Sequence, residues 1–130
     1  MHSEKVETEI LVVGAGISGL IAAKALQYDD IKVVVVDKGR SVGGRLATRR
    51  IGPGRADHGA QFFTIRSPEF QSWTERWLME GLVYRWSNGW SDGSLAPTDF
   101  HGHPRYAVRG GMNALAKYLA RDIDTYVNLR

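Results

Sequence analysis

Three glycines, Gly14-Ala15-Gly16-Ile17-Ser18-Gly19, lie inside the stretch EILVVGAGISGLIAAKAL and have the spacing of a phosphate cradle. Gly14 allows a tight turn, Gly16 lets a pyrophosphate approach the backbone, and Gly19 permits a helix to pack closely on a strand. The N-terminus of the following helix would add unpaired N–H groups and a partial positive charge. Asp37 follows Gly14 by 23 residues, at the end of a second apolar run. A carboxylate there accepts hydrogen bonds from a ribose diol and repels a 2′-phosphate. The pair predicts a dinucleotide whose ADP-ribose part lacks a 2′-phosphate. A chance glycine-rich turn and a solvated strand-end Asp are the bland alternatives. Ala23, small and one turn further along the helix, favours the nucleotide.

A second constellation bears on which dinucleotide this is. Gly43-Gly44-Arg45 follows Asp37 closely, and ADHGAQFF, residues 56–63, comes soon after. A plain NAD domain needs neither element, whereas a flavin dinucleotide needs backbone contacts beyond its pyrophosphate. Glycines permit close approach, and Arg45 offers charge-assisted hydrogen bonds to phosphate. Gly59, Ala60 and Gln61 place small residues and an amide near the expected ring. Six arginines between Arg40 and Arg66 face one acid, Asp57. A solvated basic loop would explain them, but the neighbouring glycines favour a pyrophosphate-bearing ligand. Nucleic acid is the weaker reading, because no basic helix face or basic–aromatic repeat is present.

These residues need a scaffold. EILVVGAG reads as a parallel strand buried on both faces, a helix follows from Ile17 to about Tyr28, and IKVVVVDKG reads as a second buried strand. Strand, helix and strand form a right-handed βαβ unit. Two short strands joined at residues 52–54 come next. The helix after them has Ser67 as N-cap, Pro68 in its first turn and Gly81 at its C-terminal cap. Phe70, Trp73, Trp77 and Leu78 share one face of that helix. LVYRW (82–86) and RYAV (105–108) read as strands, MNALAKYLARD as a helix, and IDTYVNLR as the start of another strand. The fold class is therefore α/β. A Rossmann-like unit at 8–40 and 110–130 forms a single domain with an α+β segment inserted at about 41–109.

The 130-residue chain has no cysteine, which excludes disulfides, thiolate catalysis, iron–sulfur ligation and a cysteinyl–flavin bond. Its polar N-terminus MHSEKVETE lacks the apolar core of a secretory signal, and no apolar run approaches a bilayer span. A cytoplasmic location with no membrane partner is expected.

Taken together, GAGISGLIAAKAL, VVVVDKGRSVGGRLATRR and ADHGAQFFT resemble the N-terminal part of the flavin-dependent amine oxidase superfamily. DKGRSVGGR, HGAQFFT, the aromatic spacing from Phe70 to Trp86 and GGMNALAKYLA are similar to its bacterial renalase-like branch. The resemblance covers nearly the whole chain and implies FAD as cofactor. It implies that Gly14, Ala15, Gly16, Ile17 and Ser18 cradle the pyrophosphate, and that Asp37 holds the adenosine ribose with Lys38 beside it. Gly44, Arg45 and Leu46 would line the central part of the cofactor, and Gly59, Ala60, Gln61 and Phe62 would approach the flavin. The implied reaction is hydride transfer from a small-molecule substrate to flavin, with reoxidation by O2 to hydrogen peroxide. Renalase-like relatives oxidise aberrant isomers of reduced nicotinamide nucleotides, and the wider superfamily oxidises amines. Relatives are much longer and carry a substrate domain, so the chain looks like an N-terminal fragment. An amine oxidase, a desaturase-like flavoenzyme or a non-catalytic nucleotide-binding module are the alternatives.

Four smaller signals remain. His101-Gly-His103 reads as a solvated loop more than as a metal site, and no metal is expected. His58 reads as an ordinary hydrogen-bonded residue, with tuning of the flavin or attachment to it as the sharper alternatives. Trp73, Trp77, Trp86 and Trp90 offer either a substrate cage or, for Trp73 and Trp77, helix packing. Gly110-Gly111 either approaches the cofactor or turns a strand into a helix.

Overall fold

A computed structural model describes residues 5–89, 93–94 and 102–130. Trp90 and His101 lie outside them, so the parts of the cage and histidine readings that rest on these two do too. The chain divides into two compact units, Met1–Leu46 with Ala116–Arg130, and Ala47–Leu115.

The first unit is built on a parallel sheet. Strand β1 (Ile10–Val13) pairs with β2 (Val33–Val36), and helix α1 (Ile17–Tyr28) connects them and lies against both. Strand β8 (Asp124–Tyr126) extends the sheet on the far side of β2, giving the order β1-β2-β8. Leu20 and Ala23 of α1 and Val35 of β2 are fully buried, and Val33 and Val34 are nearly so. Lys24 Nζ and Gln27 Nε2 of α1 donate to the Asp122 carboxylate and carbonyl, at 3.2 and 2.9 Å.

The expectation that β1 is buried on both faces needs correction. Ile10 and Val12 are half-buried on the α1 side, but Leu11 is 54% and Val13 81% exposed. Val34, the partner of Leu11 in β2, is buried. The cover over this second face therefore thins towards the β1 edge. An apolar strand can be buried on both faces, but it needs a layer on each.

The second unit begins with a hairpin of β3 (Thr48–Ile51) and β4 (Gly54–Asp57), as the turn residues at 52–54 predict. A three-stranded antiparallel sheet follows, ordered β5-β7-β6, from β5 (Phe63–Thr64), β6 (Val83–Ser87) and β7 (Arg105–Val108). Helix α2 (Pro68–Met79) packs on one face of it. The start of α2 is as predicted, with the Ser67 hydroxyl accepting the Phe70 N–H at 3.2 Å. At its end the Gly81 and Leu82 N–H groups donate to the Leu78 and Trp77 carbonyls. This is the pairing of a Schellman cap, with Gly81 just past the cap residue Glu80.

Residues paired across neighbouring strands share a face, so Phe63, Tyr106, Val108 and Val83 point one way. Phe63 stacks on Tyr106 at 5.6 Å and meets Phe70 and Trp77 at 5.4 and 6.2 Å. Trp77 is fully buried here, and Trp73 is half-buried beside it, 6.0 Å between rings. Packing explains these two tryptophans. Leu78 departs from the expected helix face and is 38% exposed, while Thr74 is fully buried with its hydroxyl bonded to the Phe70 carbonyl. Leu78 lies at the margin of the stripe, and Thr74 lies nearer its centre.

Helix α3 spans Asn113–Ala120, and Leu115, Ala116 and Leu119 along it are buried. No helix among the described residues is long and apolar enough to cross a membrane.

Candidate functional site

The glycine loop joins β1 to α1, and its geometry follows from close backbone contacts. Gly14 adopts φ +108°, and its N–H donates to the Val36 carbonyl at 2.8 Å. A Cβ on Gly19 would run into the Gly14 carbonyl, so only glycine lets α1 sit this near the loop. By contrast, the Cβ positions of Gly14 and Gly16 point into open space, with no heavy atom within 4 Å. Gly16 is the N-cap of α1, and no side chain caps it. The loop thus presents an open flank and an uncapped helix start, which is what an approaching pyrophosphate requires. The residues present fit the phosphate portion of a dinucleotide.

Ala15, fully buried, is the fixed point of this loop. Its N–H donates to Asp37 Oδ2 at 2.6 Å, and its carbonyl accepts the Gly43 N–H at 2.7 Å. Asp37 Oδ1 accepts the Gly39 N–H, also at 2.6 Å. The N–H of Ala15, then that of Gly39, holds the Asp37 carboxyl below its ordinary value of 3.8; Lys38 adds a smaller pull, against an upward push from burial. The carboxylate read from the sequence as a ribose acceptor is thus also a clamp on the glycine loop. Each carboxylate oxygen has more than one acceptor site, so a ribose hydroxyl can still be added.

The Gly43-Gly44-Arg45 segment lies beside the cradle. Gly16 and Gly43 form an isolated parallel bridge, and a Cβ on Gly44 would sit 3.6 Å from the Gly16 Cα. Gly44–Leu46 form one turn of 3-10 helix that buries Leu46 and leaves Arg45 exposed. Residues about 30 positions apart in sequence, Gly14–Ser18 and Gly44–Leu46, are therefore neighbours. Ile17 is half-buried, and Ser18 and Lys38 are exposed.

Gly59, Ala60, Gln61 and Phe62 belong to the second unit. Gly59 and Gln61 are exposed, while Ala60 and Phe62 are half-buried. The Phe62 ring lies 5.8 Å from Trp86 and has the Arg105 guanidinium 5.5 Å above it. His58 is exposed, with its backbone N–H bonded to the Ala47 carbonyl. Among the described residues no group of His, Cys, Asp or Glu is arranged to hold a metal.

Sequence reasoning did not find a latch in this unit. Asp57 Oδ1 accepts the Thr48 hydroxyl at 2.5 Å and the Met112 N–H at 2.9 Å, and Thr48 Oγ1 accepts the Asn113 N–H at 3.0 Å. The β3–β4 hairpin thereby caps the start of α3. Gly111, at φ +101°, lies against Thr48, whose side-chain atoms a Cβ there would meet at 2.6 and 2.7 Å. Gly110-Gly111 therefore turns β7 into α3 under the latch. Thr48 and Asp57 pair across the hairpin, but their target is 55 or more residues away, and no local pattern marks it.

The profile of the family described as NAD(P)-binding Rossmann-like domain matches residues 12–77, half of the chain. The chain belongs to that family. Its βαβ unit, glycine loop and strand-end Asp37 are the family's features at the sites described above. Coproporphyrinogen III oxidase of Mycobacterium leprae (strain TN) is 44% identical over 61 residues, covering 45% of this chain and 14% of that protein. A possible lysine-specific histone demethylase 1 of Drosophila melanogaster is 43% identical over 56 residues, 43% of this chain and 6% of that protein. Among solved structures, wild-type putrescine oxidase bound to putrescine superposes with a TM-score of 0.51 at 30% identity, covering 65% of this chain and 18% of that one. The matches thus span under a fifth of each of these proteins' lengths. They support the flavin-dependent amine oxidase superfamily, the broader of the two resemblances read from the sequence, and with it FAD as the cofactor.

Proposed function

We propose that this chain is the FAD-binding part of a flavin-dependent oxidoreductase of the amine oxidase superfamily, with a renalase-like parent that acts on isomers of reduced nicotinamide nucleotides. The observation that carries the reading is the Ala15 backbone, held between Asp37 and Gly43 beside the open flank of Gly14 and Gly16. In this reading Gly14–Ser18 receive the pyrophosphate, Asp37 takes the ribose with Lys38 nearby, and Gly44, Arg45 and Leu46 border the cofactor's middle. Gly59, Ala60, Gln61 and Phe62 border its ring. When bound, FAD supplies two-electron redox chemistry, while the protein supplies position and electrostatics. Arg49, Arg50 and Arg55, all exposed on the β3–β4 hairpin, suit an anionic small-molecule substrate. A cytoplasmic location belongs to the same reading, supported by a cysteine-free sequence suited to a reducing compartment.

Amine oxidation is the second reading, favoured by the likeness to putrescine oxidase. Anaerobic mixing of FAD-loaded protein with reduced nicotinamide isomers, and separately with amines, distinguishes the two. Bleaching of the flavin by the nucleotides is expected. Bleaching by amines alone would move the reading to amine oxidation, and bleaching by neither would leave a nucleotide-binding module.

A further inference from the structure

The antiparallel sheet of the second unit has two faces with opposite character. One carries Phe63, Tyr106, Val83 and Val108 towards α2 and is packed. The other carries Tyr84, 37% exposed, with Ala107 opposite it on β7, and Trp86, 46% exposed, which sits where the β6–β7 register shifts between Arg85 and Ser87 and lines the same cleft as Tyr84. Strand alternation alone calls for polar residues on a solvated face. Two large aromatics there instead form the wall of an open cleft of about 580 Å³.

Charge in the cleft is net positive, two arginines against one acid. Arg109 and Arg55 line it together with Gln61 and Asp57. The Asp57 carboxylate is turned inward, accepting the Thr48 hydroxyl and the Met112 N–H. Arg109 is exposed and its guanidinium sits 5.3 Å over the Tyr84 ring, a cation already placed on an aromatic surface. Arg55 donates to the Gly110 carbonyl at 3.2 Å, which fixes the arginine at the rim and uses one of its five N–H donors. The Thr48–Asp57 latch bonds the Met112 and Asn113 N–H groups, directly after the Gly110-Gly111 segment that lines the cleft. Aromatic faces beside fixed guanidinium groups recognise a flat ring that carries an anion.

We propose that this cleft binds a planar ring bearing a phosphate, the ring against Trp86 and the phosphate on Arg55 and on Arg109, which Tyr84 supports from beneath. The assignment deepens the proposed function by giving the anionic substrate a binding surface, and rests on that reading for the occupant's role in a reaction, not for the binding itself. Arg109 and Trp86 are then specificity-determining residues.

Calorimetric titration of the chain with reduced nicotinamide mononucleotide tests this, with FAD binding measured in parallel by flavin absorbance. Saturable nucleotide binding is expected, weakened about tenfold or more in Arg109→Gln and in Trp86→Ala. It should be retained in Asp37→Ala, while FAD binding is weakened in Asp37→Ala and retained in Arg109→Gln. Arg109→Lys, which keeps the charge but loses the fork, should fall between. No binding of the mononucleotide would overturn the proposal. So would affinity lost in an Asp37→Ala variant with a native far-UV spectrum and held in Arg109→Gln, or inorganic phosphate binding as tightly as the mononucleotide. Should FAD fail to bind while the mononucleotide binds through Arg109, the flavin reading falls and the cleft assignment stands.

Discussion

At Asp37 both carboxylate oxygens already accept backbone N–H groups, from Ala15 and Gly39 at 2.6 Å, so a change there disturbs the loop before any ligand arrives. Asp37→Ala leaves two amides without acceptors, at a cost of about 1–3 kcal/mol, and FAD affinity should fall by about tenfold or more in a titration followed by flavin absorbance. Asp37→Asn keeps one accepting oxygen and sets an NH2 group against the other amide, so it should also weaken binding. The folded-state pKa of Asp37 lies below its ordinary value of 3.8, so its contribution is fully present above that value. It is lost as pH falls through the lowered folded pKa. FAD affinity should thus show no step from Asp37 between neutral pH and the ordinary carboxylate range, and a loss at Asp37 only on further acidification, a pattern absent in Asp37→Ala. At Gly19 an added methyl meets the Gly14 carbonyl, which is backbone and cannot swing aside. Gly19→Ala should cost about 1–3 kcal/mol in urea unfolding and lower FAD affinity as well.

The elements show what a sequence states locally and what it does not. Helix α2 was legible because its punctuation is local: the Ser67 hydroxyl takes the Phe70 N–H, Pro68 opens the helix, and Gly81 follows its end. Ser67→Ala should lower stability by about 1 kcal/mol, read by tryptophan fluorescence during urea unfolding, and leave FAD affinity unchanged. Strand β5 was not legible. It has only two residues, Phe63 and Thr64, and exists because β7 pairs with it from more than 40 positions away. Thr74 was missed for a related reason, since a hydroxyl that bonds its own helix carbonyl can be buried without an external partner. The cradle was the most legible part of the candidate site. Its glycine spacing is a backbone requirement, whereas the Thr48–Asp57 latch and the Tyr84–Arg109 contact depend on long-range pairing.

For the molecule as a whole, the βαβ order and the return of the chain to the sheet as β8 were readable from apolar runs. The state of the β1 surface was not. Hydrophobic residues on both faces record what a strand tolerates, not what covers it, and Val13 remains 81% exposed. Among the described residues β1 pairs only with β2, so its outer edge and the Leu11–Val13 surface together favour association at high concentration. Val13→Lys should reduce concentration-dependent light scattering while leaving FAD affinity unchanged. FAD binding by the chain itself is the claim on which the functional account rests. The most direct measurement is titration of the purified 130-residue chain with FAD, followed by visible absorbance after removal of unbound flavin. Saturable retention of flavin that is weakened in Asp37→Ala is predicted; a correctly folded chain that remains colourless at saturating FAD would contradict it.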